Sequence, residues 1–156
     1  MAMNKNGFTL VEIMVVMLII AILSTLSIFA LRNARVQTRD AQRKSDLERI
    51  KQGLEIYRTD CSDFPRPFQA GDILVLFGTN LIGDDTPPGC STSNFYIRSV
   101  PDDLDPGRRY YYSQNSPYEY VLCANLEENP AVSTCPVNAN CGGGGGNTCD
   151  WGFSYP

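Results

Sequence analysis

The stretch KNGFTLVEIMVVMLIIAIL, residues 5–23, contains a single acid, Glu12, at the start of a long apolar run. From Phe8 to Leu31 the only other polar residues are threonines and serines. About 20 apolar residues in a helix are enough to cross the hydrocarbon core of a bilayer. The run is longer than the apolar part of a typical secretory signal, and charged residues follow it. It therefore predicts a transmembrane helix.

The composition changes beyond this run. All six cysteines and all ten prolines follow residue 52. An even number of cysteines confined to the part beyond a membrane anchor predicts disulfides in an oxidising compartment. A zinc site is disfavoured because the chain has no histidine and no CxxC pair. We expect Cys61 to pair with Cys90, and the other four cysteines to pair among themselves: Cys123, Cys135, Cys141 and Cys149.

Residues 32–60, RNARVQTRDAQRKSDLERIKQGLEIYRTD, are polar but have the pattern of a helix. They contain no proline, and four large apolar residues recur at spacings of three and four, as on one helical face: Leu47, Ile50, Leu54 and Tyr57. The simplest interpretation is one unbroken helix from about Phe8 to Thr59, on the order of 78 Å long at about 1.5 Å per residue. Its second half must bury the apolar face against another element.

The prolines of FPRP, residues 64–67, end this helix. The segment ILVLFGTNLI, residues 73–82, fits either a short helix or a buried strand. Three later segments are rich in β-forming residues: 95–100, 108–113 and 118–126. QNSP at 114–117 fits a hairpin turn between the last two.

These elements predict an α+β fold, in which a long N-terminal helix packs on a small antiparallel sheet. From Glu127 onward the chain is loop-like, and we expect it to hold a shape only with its cysteines. The net charge of −4 argues against general nucleic-acid binding. The absence of histidine, of a GxSxG motif and of a Walker loop argues against an enzyme.

Glu12 is the chemically unusual residue of the apolar run. An acid at the bilayer centre costs about 2.5–3.5 kcal/mol, and less near a helix end, from which it can reach the interface. Glu12 is either tolerated in this way or paired with a cation. If the chain were cut between Gly7 and Phe8, the new amine of Phe8 would lie about one helical turn from Glu12, or meet Glu12 of another copy.

KNGFTLVE followed by about twenty apolar residues resembles the class III leader of the type IV pilin and pseudopilin superfamily. The likeness continues, less sharply, to about Leu126, through residues 46–65 and the predicted strands. The resemblance implies a pilin-like fold with a disulfide-braced C-terminal loop region. It also implies four segments: a leader at 1–7, a transmembrane and filament-core half-helix at 8–31, an amphipathic half-helix at 32–60, and a β-rich head at 61–156.

The resemblance assigns roles to three residues of this sequence. Gly7 would be read by a prepilin peptidase, with cleavage before Phe8 and N-methylation of Phe8. Glu12 would neutralise the N-terminus of a neighbouring subunit during assembly. Removing residues 1–7 removes Lys5, which takes the charge from −4 to −5.

The function implied first is that of a structural subunit of a type IV pilus-like filament. Its expected partners are copies of itself in a helical homopolymer, the prepilin peptidase and N-methylase, an inner-membrane assembly platform, minor pilins, and membrane lipid before assembly. Its expected location is the inner membrane and then an extracellular filament. The alternatives are the major pseudopilin of a type II secretion system, a membrane-anchored extracytoplasmic binding protein that never polymerises, and a secreted domain cleaved after Ala30 or Ala34.

Three features depart from this resemblance. Many relatives have a helix-breaking proline where this chain has Phe29. Major pseudopilins bind calcium in an acid-rich C-terminal loop, where this chain offers only Glu127, Glu128 and Asp150. We therefore expect no cofactor, with disulfides bracing the loop, and a weak calcium candidate elsewhere: Asp102, Asp103 and Asp105. Finally, basic residues after the run outnumber Lys5, and by the positive-inside rule alone they would place the head in the cytoplasm.

Overall fold

The computed structural model of the chain describes residues 7–66, 78–85, 89–128, 135–136, 139–142 and 148–155. In chain order these residues form one helix and five strands: α1 Leu10–Cys61, β1 Leu81–Ile82, β2 Phe95–Ile97, β3 Tyr111–Ser116, β4 Glu119–Ala124 and β5 Trp151–Tyr155. The chain forms two compact units, Met1–Thr38 and Arg39–Pro156. The predicted α+β class and the single unbroken helix are confirmed.

Within Met1–Thr38, the part of α1 from Leu10 to Leu31 is apolar on nearly all sides. Its most apolar 18-residue window has a mean hydropathy of 2.8 and no buried residue. The large apolar side chains described between Phe8 and Leu31 are 46–79% exposed within the chain. By length and composition, this part of α1 is able to cross a membrane. α1 continues through residue 29, as expected where no proline interrupts it.

Within Arg39–Pro156, the predicted apolar face of α1 is buried. Its four residues are 0–2% exposed and share one core with Phe64 and with residues of β1 to β4. Burying a large apolar side chain fully stabilises a fold by roughly 1.5–3 kcal/mol. β2 passes close to α1 at Gly53, where an added Cβ atom would overlap the side chain of Ile97. A larger residue at position 53 would force the Ile97 side chain to move.

The strands form two antiparallel sheets, one of β1 and β2 and one in the order β3-β4-β5. The β3–β4 hairpin agrees with the sequence, but the predicted QNSP turn is wrong. Gln114 and Ser116 belong to β3 and pair with β4, so the turn lies at Pro117 and Tyr118. The side-chain amide of Gln114 donates to the carbonyl of Phe64, at 2.9 Å.

The ambiguous segment at 73–82 is described only from residue 78. Leu81 and Ile82 form β1, and Leu81 is buried in the core. The choice between helix and strand for residues 73–77 lies outside the described residues.

The expectation of a loop from Glu127 onward is wrong for residues 151–155, which form β5. Every second residue of β5 is aromatic and lies under a cation of α1. Lys44 Nζ is 5.5 Å from the ring centre of Trp151, and Lys51 Nζ is 4.7 Å from that of Phe153. The Arg58 guanidinium is 5.0 Å from the Tyr155 ring. The three cations are seven residues apart, and such contacts stabilise by about 0.5–1 kcal/mol each at exposed sites.

Three disulfides connect the six cysteines: Cys61–Cys90, Cys123–Cys135 and Cys141–Cys149. These pairs agree with the expected pairing. The first joins the end of α1 to the chain before β2. The other two lie in or next to residues 125–155, which we call the C-terminal segment. A disulfide stabilises mainly by restricting the unfolded chain, and more so when it closes a longer loop.

We expect the double substitution Cys61→Ala/Cys90→Ala to lower the free energy of unfolding by about 3–4 kcal/mol, since its loop spans 29 residues. The Cys141–Cys149 disulfide closes a loop of only 8 residues, so Cys141→Ala/Cys149→Ala should cost about 2–3 kcal/mol. Urea unfolding of the full chain in detergent micelles measures both. A larger loss for the second variant would contradict the dependence on loop length.

Candidate functional site

The first candidate site is the start of α1. Gly7, Phe8 and Thr9 precede the helix, and Phe8 is exposed. A Cβ atom placed on Gly7 would meet no atom within 4 Å. Packing against the described residues therefore does not require a glycine at this position.

Glu12 lies in the first turn of α1, and its backbone N–H is capped. This N–H donates to the Thr9 hydroxyl, at 3.3 Å. A threonine followed three residues later by a glutamate is the spacing of a capping box, and an acid in the first turn also suits the helix dipole. The TxxE spacing is visible in the sequence and predicts this cap, whereas the charge of Glu12 alone does not. The Thr9 side chain thus caps the start of α1, through the backbone N–H of Glu12.

The second candidate site is an ionic cluster around the buried Arg43 in Arg39–Pro156, which we call the Arg43 network. It consists of Arg39, Asp40, Arg43, Asp103 and Glu127. Arg43 is 3% exposed. Its Nε and Nη2 donate to the two oxygens of Asp103, at 2.7 and 3.3 Å. Its Nη1 donates to Asp40 Oδ1 at 2.9 Å and to Glu127 Oε1 at 3.1 Å, and Arg39 forms a second, forked pair with Glu127.

Asp40 extends the network to the backbone of the C-terminal segment. Its two carboxylate oxygens accept the N–H groups of Glu127 and Glu128, each at 2.9 Å. Further along α1, Asp46 accepts the buried hydroxyl of Tyr110 at 2.9 Å. Burial, together with Asp46, raises the pKa of Tyr110, so this hydroxyl remains a donor. The network therefore fixes the chain that leaves β4 against α1.

The charges within the network stabilise one another. Burial lowers the pKa of Arg43, but its hydrogen bonds to Asp103, Glu127 and Asp40 outweigh burial and raise the pKa above its ordinary value. Hydrogen bonds from Arg39 and Arg43 lower the pKa of Glu127 to about 2. Arg43 and Glu127 are thus both charged near neutral pH.

The acids that the sequence offered for calcium do not fit that ion. Asp103 is paired with Arg43, and Glu127 with Arg39 and Arg43. Calcium needs six to eight oxygen ligands. Among the described residues, the group close enough together to hold a metal is Cys61, Asp84 and Cys90, whose two cysteines form a disulfide. Asp102 and Asp105 instead accept N–H groups of their own loop, from Asp103 and Gly107.

The Arg43 network was not predicted from the sequence, in which Arg43 resembles the other members of a basic flank. Asp40 and Arg43 extend the apolar face of α1 upstream at the same spacing of three and four, so both positions lie on the buried side. The available signal was a pair of opposite charges, three residues apart, at two positions that the periodicity places on the buried side of α1. The acids that complete the network are 60 and 84 residues away from Arg43, and periodicity contains no information on them.

The pKa of Glu127 predicts a pH dependence. A carboxylate whose pKa is lower in the folded chain contributes stability above its ordinary pKa of about 4.5, and loses it as the pH falls toward 2. We expect the urea midpoint of the full chain to fall between pH 5 and pH 2, and Glu127→Gln to flatten this fall. Glu119→Gln, at an exposed strand position, is the matched control. Equal pH profiles for Glu127→Gln and the unsubstituted chain would refute the assignment.

Comparisons with known proteins agree with the geometry of the helix start. The prokaryotic N-terminal methylation motif matches residues 2–28. The type II secretion system core protein G of Pseudomonas aeruginosa is 31% identical over 110 residues, covering 70% of this chain and 73% of that protein. The protein of the same name from Dickeya chrysanthemi is 32% identical over 120 residues, covering 69% and 73%.

The same protein of Escherichia coli K12 is 31% identical over 102 residues, covering 64% of this chain and 66% of that protein. No solved structure matches the chain significantly. The methylation motif, the identities and the coverage establish the family. The chain belongs to the family of the type II secretion system core protein G, within the superfamily of type IV pilins and pseudopilins.

Proposed function

We propose that this chain is the major pseudopilin of a type II secretion system, a structural subunit that polymerises after cleavage before Phe8. The sequence alone favoured a pilus subunit, with this function as the alternative. The names of the relatives favour the alternative. The observation that carries the proposal is a wholly exposed apolar half-helix with one acid in its first turn, in a chain of this family.

The exposed apolar half-helix needs to contact other apolar groups instead of water. Burying apolar area is favourable by about 25 cal/mol per Å², so side chains from Phe8 to Leu31 do not remain in water. Lipid covers them while the chain is anchored in the membrane. In the filament, the same surfaces of other copies replace the lipid. The chain works in this way by assembly, with no catalytic step.

Glu12 is the group that makes this assembly selective. Its carboxylate lies among apolar side chains, where an unpaired charge is costly. Cleavage before Phe8 creates the amine that pairs with Glu12 of a neighbouring copy. An uncut chain lacks this amine and leaves Glu12 without its partner. Processing and assembly are therefore coupled through one ion pair.

Gly7 is assigned to recognition by the prepilin peptidase. A Cβ atom on Gly7 would contact no atom of the described residues. Its small size therefore serves recognition by the peptidase and not packing against those residues. The peptidase and N-methylase, an inner-membrane assembly platform and minor subunits are the proposed partners. The processed filament extends outward from the membrane in which the subunit is anchored.

We expect Glu12→Ala to leave the subunit in the membrane and to reduce its yield in filaments roughly tenfold or more, because the neighbour's amine loses its buried partner. Filaments from cells that overproduce the chain are sheared, and the subunit is quantified in the sheared and membrane fractions. Glu48→Ala, which removes an exposed acid of the same helix, is the control.

The intact mass of the membrane-bound Glu12→Ala chain is measured in parallel. It shows whether residues 1–7 have been removed, so that a defect in processing is separated from one in assembly. A normal filament yield from Glu12→Ala cells would refute the proposed role of Glu12.

Deletion of the gene tests the choice between pseudopilin and pilus subunit. We expect the deletion strain to retain proteins of the type II pathway inside the cell, while any long surface pili persist. Immunoblots of culture medium and electron microscopy of the cells provide the two readouts. Loss of the pili with normal secretion would instead identify a pilus subunit. Normal secretion and normal pili in the deletion strain, together with an uncut N-terminus of the chain in the parent strain, would identify an anchored binding protein.

A further inference from the structure

We propose that the Arg43 guanidinium is an internal cation that takes the structural place of a calcium ion and anchors the C-terminal segment to α1, which makes the fold independent of calcium. This role lies beyond the proposed function and concerns the unit Arg39–Pro156 alone. The family resemblance implies a metal held by acids of the C-terminal loop, whereas Glu127, the first acid of that loop, is bound here by two arginines.

The Arg43 network joins three separate parts of the chain. Asp40 and Arg43 lie on α1, Asp103 lies between β2 and β3, and Glu127 follows β4. A structural metal ion joins distant segments in this way, by attracting oxygen ligands from each. Arg43 presents its N–H donors in a planar fork to the carboxylates of all three parts.

The charges of the network nearly cancel, and its charged groups are hydrogen-bonded. The three carboxylates and two guanidiniums sum to −1, and Asp40 compensates by accepting two backbone N–H groups. The side chains of Asp40, Arg43 and Asp103 are 6%, 3% and 2% exposed. Buried charges with this degree of pairing do not need a further cation.

The remaining acids of the C-terminal segment leave little for a metal. Asp150 Oδ1 accepts the backbone N–H of Leu126 at 2.9 Å. Glu128 offers an exposed carboxylate, and one carboxylate supplies at most two of the six to eight oxygens that calcium takes. The Cys123–Cys135 and Cys141–Cys149 disulfides hold other parts of the segment covalently. Within the described residues of this segment, the contacts that attach it to α1 are therefore made by groups of this chain.

This arrangement has a thermodynamic signature. A bound ion stabilises a fold in proportion to the logarithm of its concentration, once that concentration exceeds the Kd. An arginine of the same chain is always present, so stability does not follow any ion concentration. The two cases differ in an experiment that needs no filament and no secretion.

The test is the thermal unfolding of the full chain in detergent micelles, followed by circular dichroism in the near ultraviolet. We expect the same Tm in calcium chloride and in EGTA. Arg43→Met should lower the Tm by roughly 10 °C, because it leaves buried carboxylates unpaired. Arg43→Lys should also lower the Tm, because lysine lacks the planar fork of donors. Arg49→Met, at an exposed arginine of the same helix, should change the Tm by about 2 °C or less.

Calorimetric titration of the unsubstituted chain with calcium chloride completes the test and does not depend on any variant folding. No heat of binding is expected. A rise in the Tm of the unsubstituted chain with calcium, a measurable binding heat, or an Arg43→Lys chain as stable as the original would each overturn the proposal. The proposed pseudopilin function is decided separately, by secretion and filament yield.

Discussion

The head depends on one face of α1. Along this face the buried positions recur every three or four residues, first as an ionic pair, then as an apolar stripe, and finally as a disulfide: Asp40, Arg43, Leu47, Ile50, Leu54, Tyr57 and Cys61. The described residues that share a core with this face meet it with matching chemistry. Carboxylates and backbone N–H groups meet the ionic end, aromatic and aliphatic strand residues meet the middle, and Cys90 meets the last position.

The sequence was sufficient where the structure follows local rules. The helix, its apolar stripe, the β3–β4 hairpin and the grouping of the cysteines all come from periodicity, β-propensity and counting. The sequence was insufficient where contacts between residues far apart in the chain determine the structure. β5 has alternating aromatic residues, but it is only five residues long, and glycine and serine lie between the aromatic residues. Such a segment is recognised as a strand only once its contacts with Lys44 and Lys51 are known. Arg43 was missed for the same reason, because its carboxylates lie far away in the chain.

At the start of the chain, by contrast, the sequence alone was informative about the family. The motif around Gly7, Phe8 and Glu12 is local and specific, and it identifies the superfamily by itself. It does not separate a pilus from a pseudopilus, because both rely on the same apolar helix and the same acid. That distinction came from similarity to named relatives over about 70% of the chain. In the head, the acids Asp103 and Glu127 are paired with arginines instead of a metal.

The distance between contacting residues along the chain has a consequence for folding in the cell. Asp40 and Glu127 are 87 residues apart, an interval that takes about 4–17 s to synthesise at roughly 5–20 residues per second. For much of that time the apolar stripe of α1 has been made but the strands that cover it are incomplete. Contacts of such long range also form slowly once the chain is complete. The nascent subunit therefore passes through a period in which this stripe is exposed and can associate with other copies.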